Sequence, residues 1–484
     1  MIELSCAEVA RVVGGTVHGL ETPSDQCVIR SVVVDSRAAG PGAMFVAIAG
    51  AKVDGHDYAA AAVRSGAAVV LAARELPLPC IVVADPVQAL GDLASWVRRQ
   101  RLTAKVIGIT GSSGKTSTKD LVAAVLGAAG TTVAAPGSFN TEVGVPLTIL
   151  SAEPSTRYLV LEMGMRGPGH IDYLCRIAEP DIAVIVNVGR AHVGMLGSVE
   201  AIAQAKGEIL DGLSVDGVAI LNGDDPRVLD QAARTAARVV TFGTGSRCDV
   251  RATDIRTDGR ARPSFTLHAT EPVGAVPVAM GYQGEHFVSN ALAAAAVGLS
   301  CGLALDVVAA ALRAAEPNSP MRMQVQEKPF GITVINDAYN ANPESMTAAL
   351  RTLAVMAAGR RSWAVLGEMR ELGDGSDRAH EDVGRLAAEL GIHRLIAVGT
   401  MADSLVRGAS GMAGWSGRAQ AVADIPTASA LLREGLLADD MVLVKASRSV
   451  GLDAVLEEVF AEPFHLDSEA VAERTSPNPA EDTA

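Results

Sequence analysis

The chain has 484 residues, 41 of them basic and 55 acidic, and a formal net charge of −14. That length exceeds what one hydrophobic core organises and points to about three domains of roughly 150 residues each. The acidic balance, without a strongly basic stretch, argues against nucleic acid as a partner while leaving room for a local basic pocket for phosphates.

Hydrophobic residues make up 49% of the chain and aromatic ones only 3%. The cores must therefore be built from Ala, Val, Leu and Ile, which suits α/β layers whose parallel strands are buried on both faces. The six cysteines (Cys6, Cys27, Cys80, Cys175, Cys248, Cys301) are scattered without a Cys-x-x-Cys pair, and the nine histidines form no H-E-x-x-H pattern. Neither a zinc or redox motif nor a disulfide framework is expected. The amino terminus lacks a basic region followed by an apolar core, and no run of ~18 apolar residues occurs. The expectation is a soluble, cytoplasmic protein with no membrane insertion.

From the amino terminus, Ser5-Cys6-Ala7-Glu8 reads as a capping box opening a short helix that ends near Gly14-Gly15. Strand-like Val32-Val33-Val34 leads into Asp35-Ser36-Arg37, and Met44–Ile48 leads into Asp54-Gly55-His56; short apolar runs follow at 67–72 and 80–84. On local pattern alone these two polar clusters read as turn chemistry. A helix over Val87–Gln100 ends in basic residues that suit a helix C-terminus and a linker.

The next stretch carries the clearest chemistry. Val106-Ile107-Gly108-Ile109-Thr110 reads as a buried strand, Gly111-Ser112-Ser113-Gly114-Lys115-Thr116 as a glycine-bracketed turn, and Asp120–Leu126 as a helix-compatible segment that follows at once. Strand, loop and helix in that order form the setting of a phosphate-binding loop. Glycines let successive N–H groups face an anion, and the helix start adds its dipole. Lys115 can reach β- and γ-phosphates, and the Thr116 hydroxyl can ligate Mg²⁺. The loop is a shortened variant, because position 109 is Ile109 and Gly108 stands one residue too early. Binding of ATP or GTP is expected.

Strand and helix then alternate to about Glu316. Tyr158–Leu161 ends in Glu162 and Ile182–Val186 ends in Asn187, polar groups at the strand edge where doubly wound sheets bind ligands. Glu162 reads as the acidic metal ligand of a nucleotide–Mg²⁺ site rather than a helix-start glutamate, because Met163-Gly164 follows. His192 falls in a loop beside the same edge, and a structural and a functional role both stand open for it. Lys206, on a helix beginning near Ser198, reads on composition as an ordinary solvated lysine. Residues 247–282 read as an antiparallel appendage, and Gly284–Asn290 opens an Ala-rich helix with a polar first turn.

Glu316-Pro317-Asn318-Ser319-Pro320 reads as a linker. Strands at Thr333–Ile335, Trp363–Leu366, Leu395–Val398 and Met441–Val444 then suggest a Rossmann-like sheet without a dinucleotide glycine motif. A dense polar loop, Asn336-Asp337-Ala338-Tyr339-Asn340-Ala341-Asn342-Pro343, follows the first of them. The expected division is 1–102, 103–316 and 317–463, with 464–484 a disordered tail. The fold class is α/β in three domains: a small N-terminal substrate domain, a central P-loop-type doubly wound ATPase domain and a C-terminal Rossmann-like domain.

Together these pieces resemble the Mur ligases of peptidoglycan synthesis, from Val32 to about Val459. Thr110–Thr116 is similar to the family's shortened phosphate loop. Ser138-Phe139-Asn140, Leu161-Glu162-Met163-Gly164, Asn187-Val188 with Ala191-His192, and Ala205-Lys206-Gly207-Glu208 follow in the family's order. The run Asn336–Ser345 resembles the branch that adds a dipeptide, and the Asp-Asn-Pro-Arg motif of the branch that adds the third residue is absent.

The resemblance implies that Thr110, Gly111, Ser112, Ser113, Gly114, Lys115, Thr116 and Ser117 cradle ATP phosphates, with Thr116 and Glu162 on Mg²⁺. It implies His192 at a second Mg²⁺ and Lys206 as a carbamylated lysine supporting that metal. Asn290 would contact adenine. Arg322, Asn336, Asp337 and Tyr339 would close over ATP from the linker and third domain. Ser36, Arg37, Asp54 and His56 would hold a UDP-sugar, which displaces the turn reading, while Asn140, Thr141, Asn340 and Asn342 would contact substrate. The implied partners are UDP-N-acetylmuramoyl-tripeptide and D-alanyl-D-alanine, acted on by a monomer. The rival readings are another amide ligase of the superfamily (diaminopimelate- or lysine-adding, or folylpolyglutamate synthetase) and a P-loop switch that does not ligate. Against the switch, no Asn-Lys-x-Asp guanine-reading run occurs.

Overall fold

The computed structural model describes residues 1–50, 52–191 and 193–461. The expected tail at 464–484 and His192 lie outside these residues. Among the described residues no helix is long and apolar enough to cross a membrane.

The first layer is a five-stranded sheet in the order Thr16–His18, Cys80–Val82, Ala67–Ala72, Ala43–Val46, Ser31–Val33, with the last four parallel. Ser5 caps the helix Cys6–Val13 by accepting from the Glu8 N–H, and Gly14 ends it at φ 62°. The predicted helix near 87–100 spans Pro86–Arg101. Asp85 accepts from the N–H groups of Val87 and Gln88 at 2.8 and 3.2 Å, and Pro86 occupies the first turn, where its missing N–H costs nothing. Leu93 and Val97 of this helix are buried in one core with Ile171, Leu174 and Ile177, so the helix joins the first layer to the central one.

The central sheet has nine strands. Lys105–Thr110 lies between Tyr158–Glu162 and Ile182–Ile185, parallel to both. Strand order reverses here, so the loop after Thr110 opens into the crevice at a topological switch point. The segment expected as an antiparallel appendage instead continues this sheet. Val250–Thr257 pairs in parallel with Arg238–Gly243, and Pro263–Thr270 and Val273–Ala279 add antiparallel strands at its edge.

The third sheet orders Gln324–Glu327, Thr333–Asn336, Met441–Lys445, Ser362–Leu366, Arg394–Val398 and Arg418–Val422, all parallel but the first. The four apolar strands expected from sequence are its centre. Both edge strands were not anticipated, being polar and partly exposed. The central and third layers share one apolar core, which places their polar strand ends opposite each other.

Candidate active site

Seven parallel strands turn their carboxyl ends towards one edge of the central sheet, and the loop after the Lys105–Thr110 strand is pinned there. The Asn187 carboxamide oxygen accepts from the N–H groups of Ser112 and Ser113 at 3.1 and 2.9 Å, and its amide donates to the Ser113 hydroxyl at 3.1 Å. Gly114 takes φ 74°, a left-handed value that costs glycine little, and a Cβ there would stand 2.8 Å from Asn290 Oδ1. Asn290, buried on the helix Phe287–Ser300, thus packs directly on the loop. The next helix starts at Lys115, and its first-turn N–H groups, without intrahelical acceptors, face the cleft. Lys115 Nζ donates to the Gly111 carbonyl at 2.8 Å. Burial lowers the Lys115 pKa; Glu162 opposes this and Arg322 adds to it.

Glu162 ends its strand and is almost fully buried. It is no helix-start residue: Met163 N–H continues the pairing to the Ile109 carbonyl at 2.8 Å, and the next helix begins at His170. Its Oε2 accepts from Thr116 Oγ1 at 2.7 Å and its Oε1 from the Asn140 amide at 2.7 Å; Thr116 Oγ1 also lies 3.1 Å from Ser138 Oγ. A carboxylate beside two hydroxyls is a hard oxygen donor set, fitted to Mg²⁺ completed by phosphate oxygens and water.

The facing wall comes from the third layer. Met321 and Met323 both adopt positive φ, 56° and 49°, a strained arrangement for side-chain-bearing residues. It turns Arg322 into the cleft, where Nη2 donates to Ser138 Oγ at 2.7 Å and the guanidinium lies 4.2 Å from the centre of the Tyr339 ring. Lys445, almost completely buried, pairs with Asp337 at 2.6 Å and donates to the Asn340 carbonyl at 2.8 Å, and Asp337 in turn accepts from the Met323 N–H at 3.0 Å. Asn342 caps the helix Pro343–Met356 with a reciprocal capping box and reaches the Ser112 carbonyl at 3.4 Å. Asn336 accepts from the Ala338 N–H beneath the loop.

These groups line one cleft of about 350 Å³. It brings together Ser112 to Ser117, Asn140, Glu162, Asn290, Arg322, Asp337, Tyr339, Asn340 and Asn342. Thr110, Gly111, Thr141 and Asn336 do not line it, and Thr110 Oγ1 is buried without a hydrogen-bond partner among the described residues. Ser36, Arg37, Asp54 and His56 lie apart in the first layer. Asp35 accepts from the Arg37 N–H and guanidinium, and Asp54 accepts from the His56 N–H and ring, so local turn chemistry is satisfied there.

Lys206 departs from the solvated reading. It is 1% exposed on the helix Val199–Asp211, and burial, then the Lys115 cation, holds its pKa well below the usual lysine value. A neutral amine is the form that reacts with carbon dioxide. Sequence reasoning placed Asn187 at a ligand-binding strand edge and His286 in a polar helix start without assigning either a contact, and gave no role to Ser138 or Lys445; all four line the cleft. Lys445 could have been found by the rule that picked out Glu162, a polar residue closing an apolar strand. His286 was visible as part of a polar helix start; burial pushes its pKa down to about 4, with Asp337 opposing and Lys445 assisting.

The comparisons with known proteins agree along the chain. The profile described as Mur ligase family, catalytic domain, matches residues 28–95; Mur ligase middle domain matches 109–298; and Mur ligase, glutamate ligase domain, matches 321–448. The UDP-N-acetylmuramoyl-tripeptide--D-alanyl-D-alanine ligase of Mycobacterium tuberculosis (strain H37Rv) is 48% identical, with 96% of this chain and 98% of that protein covered. Its namesake from Escherichia coli (strain K12) is 36% identical, with 94% and 98% covered. Among solved structures, MurF from Acinetobacter baumannii superposes with a TM-score of 0.82 at 31% identity, covering 95% of this chain and 99% of that one. MurF ligase from Thermotoga maritima in complex with ADP gives 0.73 at 30% identity, covering 89% and 96%. The chain belongs to the Mur ligase family.

Proposed function

We propose that the chain joins D-alanyl-D-alanine to the terminal carboxylate of UDP-N-acetylmuramoyl-tripeptide, converting ATP to ADP and phosphate, in a cytoplasmic step of peptidoglycan synthesis. The observation that carries the reading is the single cleft in which the phosphate loop and Glu162 face the Asn336–Ser345 loop of the third layer. Relatives named for this reaction, at up to 48% identity over nearly the whole chain, support it.

A carboxylate is a poor electrophile towards an amine at neutral pH, so it is first activated. A carboxylate oxygen attacks the γ-phosphorus, the bond to the β-phosphate oxygen breaks, and ADP leaves an acyl phosphate. The dipeptide amine then attacks the acyl carbon, loses a proton, and expels inorganic phosphate. The helix start at Lys115 holds the phosphates by backbone N–H groups, and the Lys115 ammonium swings from the Gly111 carbonyl to the transferring group. Thr116 and Glu162 would hold Mg²⁺, which neutralises phosphate charge when bound. Arg322 adds positive charge from the opposite wall, and the third layer excludes water that would hydrolyse the acyl phosphate. Asn290 would contact the adenine. The buried Lys206 amine fits the carbamate implied by the family resemblance. The first layer, with Ser36, Arg37, Asp54 and His56, would hold the UDP-sugar.

The test is product analysis after incubation with Mg-ATP and both substrates. The reading predicts a UDP-muramoyl-pentapeptide in equal amounts with ADP and phosphate. A product extended by one amino acid, with the dipeptide inert, would move the chain to another branch of the family.

A further inference from the structure

Lys119 and Asp120 carry charge that the proposed reaction does not use, and neither lines the cleft. Lys119, on the helix Lys115–Gly127, is nonetheless only 2% exposed. Successive residues on a helix point about 100° apart, yet these two side chains turn to one place, with Lys119 Nζ 2.9 Å from Asp120 Oδ1. An ammonium has three N–H donors, and here three acceptors meet it. The other two are the carbonyls of Ala135 and Gly137, at 2.7 and 3.0 Å. Gly137 takes φ 54°, so the chain folds tightly over the ammonium.

Both ends of this arrangement reach the cleft. On one side the clamped segment runs directly into Ser138, whose hydroxyl lies 3.1 Å from Thr116 Oγ1, and then into Asn140, which donates to Glu162. On the other, the second oxygen of Asp120 accepts from Ser319 Oγ at 2.6 Å. Ser319 belongs to the linker into the third layer, just before Arg322, whose guanidinium returns to the same Ser138 at 2.7 Å. The start of the linker is fixed too, its Glu316 carbonyl accepting from the Tyr282 hydroxyl at 2.9 Å. The contacts close a ring from the helix through Ser138, Arg322 and the linker back to Asp120. Pro317 and Pro320 flank Ser319 and restrict the linker backbone, so movement at Ser319 is passed on rather than absorbed.

We propose that Lys119, Asp120 and Ser319 are positioning residues, a strut that makes seating of the third layer and setting of the 138–140 loop one event. The proposal rests on the ligase reading above. Its consequence is that the phosphoryl step depends on the linker through contacts outside the cleft, while the loop amides that grip the nucleotide do not.

Steady-state kinetics, and amide hydrogen exchange of the full chain without substrates, test it. Ser319→Ala removes a hydrogen bond to a charged group, an interaction of about tenfold in an equilibrium. It should lower kcat by about that factor and leave KM for ATP within about twofold. It should also speed exchange at residues 137–140, on a different element from the substitution, as well as in the linker. Lys119→Met, similar in length and without charge, should do the same, and combining the two should lower kcat little beyond the larger single effect. Faster exchange confined to the linker, or an unchanged kcat in Ser319→Ala, would overturn the strut, as would effects of the two substitutions that multiply. The Ser319→Ala result stands whether or not Lys119→Met folds. If the unsubstituted protein forms no peptide product, the ligase reading falls, and exchange at residues 137–140 in Ser319→Ala still decides the strut.

Discussion

Lys115 is held 2.8 Å from the Gly111 carbonyl, a contact that parks the ammonium at the site of its work. Its value lies in charge delivered to the transferring phosphoryl group, so Lys115→Ala should lower kcat by on the order of 10²–10³. Lys115 is half-buried and forms no ion pair among the described residues, so removing it costs the fold little, and the melting temperature should hold. His286 makes a second prediction at this scale. Its pKa is lowered from 6.5 to about 4 by burial, so between those values the unfolded chain binds a proton that the folded chain refuses. That part of the stability is complete above pH 6.5 and declines as pH falls towards 4. Thermal unfolding across that range should show a shallower pH dependence in His286→Gln; an unchanged slope would assign the acid sensitivity to other groups.

At the scale of elements, the helices Ser376–Glu389 and Ala402–Ser410 touch backbone to backbone. A Cβ at Gly384 would collide with the Leu405 carbonyl, and one at Gly408 with the Glu381 carbonyl. Alanine adds helix propensity worth about 1 kcal/mol, but overpacking costs about 1–3 kcal/mol and here meets immovable backbone. Gly384→Ala should therefore shift denaturant unfolding to lower concentration. The apolar strands and the phosphate loop were legible because their signals are local: a buried run closing in glycines, or in a polar residue such as Glu162. The edge strands Gln324–Glu327 and Arg418–Val422 were not, since an edge strand is made by its neighbour's free hydrogen-bonding groups. The burial of Lys206 was also illegible from composition, because the packing that desolvates it comes from elements distant in sequence. The continuation of the central sheet through residues 250–279 rests on a short parallel pairing of Phe242 and Gly243 with Val250 and Arg251 that no periodicity announces.

At the scale of the whole molecule, the cleft exists only because the third layer presents its polar strand ends to the phosphate loop. Lys445 fixes that presentation through Asp337 and the Asn340 carbonyl. Breaking a buried ion pair from one side costs about 3–5 kcal/mol, so Lys445→Met should destabilise the protein by that order in urea titrations and weaken ATP binding as the loop loosens. The two layers, with Arg322 and Ser138 joined at 2.7 Å across the cleft, form one chamber in which a carboxylate can meet the γ-phosphate away from water. The most direct measurement is the fate of ¹⁸O placed in the terminal carboxylate of UDP-N-acetylmuramoyl-tripeptide during turnover with Mg-ATP and D-alanyl-D-alanine. An acyl phosphate requires that each phosphate released carry one of those oxygens. Phosphate without the label, or label found in AMP, would contradict phosphoryl transfer to the carboxylate in this cleft.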